Sequence, residues 1–214
     1  MTRVRRSDLE RPVLEVAPDL LGCLFTAGGV TVRITEVEAY AGEADPGSHA
    51  FRGRTPRTEV MFGRAGHLYV YFTYGMHWCA NVVTGAEGRA SAVLIRAGEV
   101  VVGHDVAARR RPGIRERDWA RGPARLASTL GLDRAHNGAD LCGDAAEPRL
   151  EAAGDVPDPA TVRPGPRVGG GGPGGGGGAW VAPQAGPTAG AAGGRHRRPG
   201  RAPRRRRPSA GSGG

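Results

Sequence analysis

The sequence predicts a single mixed α/β (α+β) domain around a curved, mainly antiparallel β-sheet with short flanking helices. Three observations carry this. Apolar residues alternate with polar ones at Val30–Ile34 and His67–Tyr74, and further strand-like runs follow at Trp78–Val83 and Ala90–Ala97. The turn Gly85-Ala86-Glu87-Gly88 joins the last two runs and makes them antiparallel neighbours. Helical signals are brief, and the ordinary-looking sequence from 1 to 168 is long enough for one core.

Taken in order, Pro18–Phe25 reads as a short helix ending near Gly28-Gly29, its leucines spaced for one buried face. Val30, Val32 and Ile34 then alternate with Thr31, Arg33 and Thr35, and the strand runs into Glu36, Glu38 and Tyr40. From Ala41 to Gly66 the chain lacks periodicity, yet it carries Ser48, His49, Phe51, Met61 and Phe62, which predicts an ordered functional loop. Its cluster Arg52-Gly-Arg54-Thr-Pro-Arg57 suits either phosphates or solvent.

The clearest strand is His67–Tyr74, with Leu68, Val70 and Phe72 on one face and Tyr69 and Tyr71 on the other. Gly75 permits a sharp turn that would let Tyr74 project from the strand end. Asn81 and Arg96 then fall on neighbouring strands. Arg109–Arg115 reads as a basic loop, and Pro123–Leu130 as a helix started by proline and stopped by Gly131.

All thirty basic residues are arginine, so no side chain can form a Schiff base and only the N-terminal amine could. The formal charge of +9 is unevenly placed: residues 1–165 are neutral overall, whereas 166–214 hold nine arginines and no acid. Cys23, Cys79 and Cys142 lack any C-x-x-C spacing, which argues against both a disulfide framework and a cysteine zinc site. The absence of a long apolar run or a leader-like start predicts a cytoplasmic protein without membrane contact. Beyond residue 170 the sequence becomes Gly, Ala, Pro and Arg, a composition expected to be disordered.

Eight of the eleven aromatic residues lie between Tyr40 and Trp78, directly after Glu36 and Glu38. A carboxylate beside tyrosines suits a site that stacks a planar ring and activates water next to it. Singly, each residue has an ordinary explanation: a strand-end glutamate is commonly paired, a strand tyrosine half-buried and a loop histidine structural.

Together the motifs resemble the alkyladenine (3-methyladenine) DNA glycosylases, whose bacterial members excise alkylated and deaminated purines. The resemblance rests on Thr35-Glu-Val-Glu-Ala-Tyr40, Asp45-Pro-Gly-Ser-His49, Arg52-Gly-Arg-Thr-Pro-Arg57, Met61-Phe-Gly63, His67-Leu-Tyr-Val-Tyr-Phe-Thr-Tyr-Gly-Met76, Asn81-Val-Val83, Ala92–Ala97 and Arg121–Leu126. It implies that Glu38 is the general base for water and that Arg96 helps to hold that water. It implies that Tyr40, His49 and Tyr71 wall the extruded purine, that Asn81 discriminates against guanine, and that Tyr74 is the wedge filling the gap in the duplex. A backbone carbonyl from Arg167-Val168-Gly169 would also hold the water. The implied partner is double-stranded DNA containing damaged purines, bound by a monomer that uses no cofactor and no metal. With no lysine present, the enzyme would be monofunctional and leave an abasic site.

On this reading residues 1–169 are the glycosylase domain, C-terminally incomplete, and 170–214 a tail. Family members continue past Arg-Val-Gly with an aromatic-containing strand, whereas here Gly169 leads into Gly170–Gly178. The abrupt change fits a shift of reading frame in a G+C-rich gene, an expectation that an intact frame in independent isolates would overturn. Two other readings compete. One is a catalytically inactive nucleic-acid-binding protein with a basic tail. The other is a metal-dependent hydrolase using Glu36, Glu38, His49, His67 and His77, disfavoured because the histidines lack H-x-x-x-H or H-x-H spacing.

Overall fold

The computed structural model of the protein describes residues 2–153, 159–167 and 179–181, all within one compact unit spanning 1–184. The elements are β1 (Thr2–Arg3), α1 (Arg6–Leu9), α2 (Val13–Asp19), β2 (Leu24–Ala27), β3 (Val30–Tyr40), β4 (Leu68–Thr73), β5 (His77–Val83), β6 (Ala92–Val102), α3 (His104–Arg110), α4 (Pro123–Leu130), β7 (Arg149–Ala152), β8 (Arg163–Gly165) and β9 (Ala179–Val181). Among the described residues the strands form one sheet in the order β1-β7-β2-β3-β6-β5-β4, with β9 pairing to both β3 and β8. Every pairing is antiparallel. The mixed α/β fold expected from the sequence is therefore the one observed.

The main core collects Val30, Val32, Ile34, Val37 and Ala39 of β3, Leu68 and Val70 of β4, Val93 and Ile95 of β6, and Leu126, Ala127 and Leu130 of α4. Burying a side chain of this size contributes about 1.5–3 kcal/mol. A second cluster on Ala50, Met61, Phe62, Tyr69, Val83, Ala90 and Ala92 ties the 41–66 loop to the sheet. That loop is ordered, with single turns of 3-10 helix at Gly42–Ala44 and Glu59–Phe62.

The strand expectations for β3 to β6 hold, as does α4 with its left-handed Gly131 stop. The helix expected at Pro18–Phe25 is not there. The helix lies earlier, at Val13–Asp19 behind Pro12; the chain turns through Gly22 (φ 81°), and Leu24–Ala27 is a strand buried along its whole length. A fully buried strand shows no alternation, so its apolar run reads equally as helix. The expected basic loop is also shorter, because Arg109 and Arg110 close α3.

The expected disorder beyond residue 170 is corrected at three residues, since Ala179–Val181 forms β9 and pairs with Glu36, Val37 and Glu38 of β3. Ala-Trp-Val is the one triplet of the tail with clear strand propensity. The remainder of the expected tail, 170–178 and 182–214, lies outside the described residues. No described helix is long and apolar enough to cross a membrane.

Candidate active site

An irregularity in one strand pair creates the site. Along β3, Val30, Val32 and Ile34 face the main core, but so do Val37 and Ala39, so the facing parity changes between them. The ladder with β6 pairs Ile34 with Gly98, Glu36 with Ala97 and Val37 with Ile95, which leaves Thr35 on β3 and Arg96 on β6 outside the register. Such bulges re-aim side chains. Unbroken alternation would send Glu36, Glu38 and Tyr40 into the apolar core; the bulges turn them to the opposite face. On that face Tyr69, Asn81, Leu94 and Glu38 form one cross-strand row over β4, β5, β6 and β3.

A small slot of about 60 Å³ opens on this face, lined by Tyr40, Gly47, Ser48, His49, Met61, Tyr69, Tyr71 and Asn81. Tyr69 and Tyr71 stack with centroids 5.5 Å apart, and His49 meets Tyr71 edge-on at 4.4 Å. His49 Nδ1 lies 3.2 Å from the Tyr69 hydroxyl. Burial, and secondarily the Arg57 guanidinium, pull the imidazole below its usual pKa range. It is therefore neutral at pH 7, with one ring nitrogen to donate and one to accept. Asn81 Nδ2 donates to the Tyr69 carbonyl at 3.2 Å, which fixes the amide. Burial pushes the phenols of Tyr69 and Tyr71 up, so both stay protonated.

Behind the slot lies a carboxylate network. The Glu38 side chain has 0% exposure, a placement that is costly for a charge unless it is paired and hydrogen-bonded. Its Oε2 accepts the Tyr40 hydroxyl at 2.9 Å and sits 3.2 Å from Arg96 Nη1. Arg96 Nε donates in turn to Glu36 Oε1 at 2.7 Å. Burial first, and the Glu38 carboxylate second, push the Tyr40 phenol well above its ordinary value and keep it a donor.

Tyr40 is also held from outside the sheet. Arg167 places its guanidinium 4.5 Å from the ring centroid, donates to the Ala39 carbonyl at 3.2 Å and forms a two-pronged pair with Asp45. Asp45 further accepts the backbone N–H of Ala41 and Gly47, which shapes the turn before His49. Burial raises the Asp45 carboxyl, but the Arg167 and backbone hydrogen bonds outweigh it and hold the group below its usual range.

Tyr74 stands apart from the slot, at the tip of the β4–β5 hairpin. It is 88% exposed and left-handed at φ 49°, next to Gly75 at φ 65°. Phe72 and Met76 are exposed beside it.

Of the residues singled out in the sequence, Tyr40, His49, Tyr71 and Asn81 thus share one slot, Glu38 and Arg96 lie directly behind Tyr40, and Tyr74 projects separately. Val168 and Gly169, expected to supply a carbonyl, lie outside the described residues. Tyr69, Asp45 and the Arg167 side chain were not foreseen. Tyr69 could have been, since it shares a strand face with Tyr71; Arg167 meets Asp45 across 122 residues and leaves no local signal. Glu36, Glu38, His49, His67 and His77 do not form a metal-binding group, and among the described residues no three His, Cys, Asp or Glu side chains converge.

The methylpurine-DNA glycosylase family profile matches residues 7–171. A protein of Streptomyces avermitilis is 53% identical over 78% of this chain and 81% of its own length. One of Cutibacterium acnes is 48% identical over 83% of this chain and 94% of its own length. One of Frankia casuarinae is 58% identical over 63% of each. All three are named as 3-methyladenine DNA glycosylases by assignment.

Proposed function

This chain belongs to the methylpurine-DNA glycosylase family, and on that premise we propose that it removes alkylated or deaminated purines from double-stranded DNA by base flipping, as a monofunctional enzyme. The chain is a DNA glycosylase and its substrate is DNA; the proposal concerns the base, the route and the residues. The observation that carries it is the buried Glu38, tied to Tyr40 and Arg96 immediately behind an aromatic slot.

A stacked base hides its glycosidic bond, so the nucleotide must leave the helix. Tyr74, exposed on a hairpin tip, would enter the gap from the minor groove. The extruded purine would lie between Tyr40 on one side and His49 and Tyr71 on the other, with Asn81 discriminating against guanine. Glu38 deprotonates a water that Arg96 helps to hold. As the water oxygen bonds to the sugar C1′, the C1′–N bond breaks, its electron pair leaves with the base, and the water proton passes to Glu38. A purine alkylated at N3 or N7 carries positive charge and departs neutral, and electron-rich tyrosine faces attract it beforehand. Water, a carboxylate and such a leaving group complete this step without a cofactor. With no lysine in the chain, no side-chain imine forms and the product is an abasic site.

We place the catalytic domain at residues 1–169, joined by β9, and expect it to act as a monomer. The test is incubation with duplex DNA carrying one hypoxanthine or one alkylated adenine, followed by alkali to reveal abasic sites. Strand cleavage with the wild type and none with Glu38→Gln is the expected result. A folded wild type that binds DNA and releases neither base would overturn the assignment.

A further inference from the structure

We propose that Asp45 and Arg167 form a charge-neutral backing for Tyr40 that lets one slot accept both cationic and neutral purines. This rests on the reading above, that Tyr40 stacks on the extruded base. Tyr40 lines the slot and Arg167 does not; with the guanidinium over one face of the ring, the other face is the one assigned to the ligand. The approach is tight: a Cβ on Gly47, itself a slot residue, would lie 2.7 Å from Arg167 Nη2. The side chain is firmly placed, with 6% exposure, a pair with both Asp45 oxygens and a bond to the Ala39 carbonyl.

This arrangement poses an electrostatic problem. A cation on the back of a tyrosine strengthens the ring's position but opposes a second cation on its front. A purine stacked at van der Waals distance would lie about 8 Å from the guanidinium carbon, a separation at which an uncompensated charge alters binding of a cation by about thirtyfold in a partly buried setting. Asp45 removes that penalty. Its carboxylate is fully buried, is held by the backbone N–H of Ala41 and Gly47 as well as by Arg167, and cancels the guanidinium charge where it stands. Arg167 and Asp45 are thus positioning residues that hold the Tyr40 wall, and as a pair they determine specificity by staying electrically silent.

The experiment compares single-turnover release of 7-methyladenine, cationic in DNA, with release of hypoxanthine, neutral in DNA, from otherwise identical duplexes. Asp45→Asn leaves Arg167 uncompensated and lowers the ratio of cationic to neutral release by about thirtyfold. Arg167→Gln leaves the opposite charge and raises that ratio. It is the more tolerant variant, because Asp45 keeps its two backbone partners, so the test does not depend on Asp45→Asn folding. The double variant Asp45→Asn with Arg167→Gln returns the ratio to within about twofold of the wild type. A merely structural role would slow both lesions by one common factor in every variant, and that result would overturn the proposal while leaving the glycosylase reading intact. Failure of the folded wild type to release either base would overturn both.

Discussion

The two halves of β3 obey opposite rules. Between Val30 and Ile34 the strand lies between β2 and β6, and its inward residues are apolar, buried and self-sufficient. Between Glu36 and Tyr40 it lies between β9 and β6, and its site-facing residues are polar, with Glu38 as deeply buried as Ile34. Burial stabilises the first half outright. In the second half it is costly, and it is sustained by Arg96, the Tyr40 hydroxyl and, around Tyr40, by Arg167. One strand thus carries the stability of the fold at one end and the proposed chemistry at the other.

The sharpest separation of the two halves comes from Glu38→Gln, which should reduce base release by about 10²–10⁴-fold. Glutamine still accepts the Tyr40 hydroxyl, so the melting temperature should move little; a large fall would show that the second half also carries the fold. The reciprocal change, Ile34→Ala, should cost about 2–5 kcal/mol in urea unfolding while leaving release per folded molecule near wild type. Activity lost without stability lost would break the contrast from the other side.

A smaller effect is expected where the backbone itself is strained. Tyr74→Gly should leave stability within about 1 kcal/mol of wild type, because relief of the left-handed conformation offsets the chain entropy of glycine. Release from duplex DNA should nevertheless fall, as measured on the same lesion used for Glu38→Gln. The mildest effect concerns pH. The folded His49 pKa lies below its unfolded value near 6.5, so its contribution to stability is complete above that pH and is lost as the pH falls through it towards the lower folded value. Melting temperatures of wild type and His49→Asn should therefore converge as the pH falls below about 6.5; a gap that widens on acidification would contradict the burial assigned to His49.

Legibility in the sequence followed the physics of each element. β4 to β6 and α4 were readable because half-buried strands alternate and Pro and Gly bracket a short helix. β2 was misread because a strand buried on both faces has no period to detect. The slot residues Tyr40, His49, Tyr71 and Asn81 were found through their motifs, since periodicity alone would have assigned Glu36 and Glu38 to the core face. What reverses that assignment, the bulge at Thr35 and Arg96, arises between two strands and belongs to neither sequence alone. The Arg167–Asp45 pair was invisible for a similar reason, being a tertiary contact without local pattern.

Thr35 and Arg96 are each one residue more than the ladder needs, and because the excesses fall on opposite strands they cancel. Ile34–Gly98 on one side and Val37–Ile95 on the other belong to a single register. A gain or loss of one residue in either strand alone would slide Glu38 along its own strand and out of the row with Leu94, Asn81 and Tyr69 by about 3.3 Å, a full position. The site is therefore encoded in the matched lengths of two strands as much as in the identity of its side chains, and single-codon insertions or deletions near residues 35 and 96 are the changes it is least able to absorb.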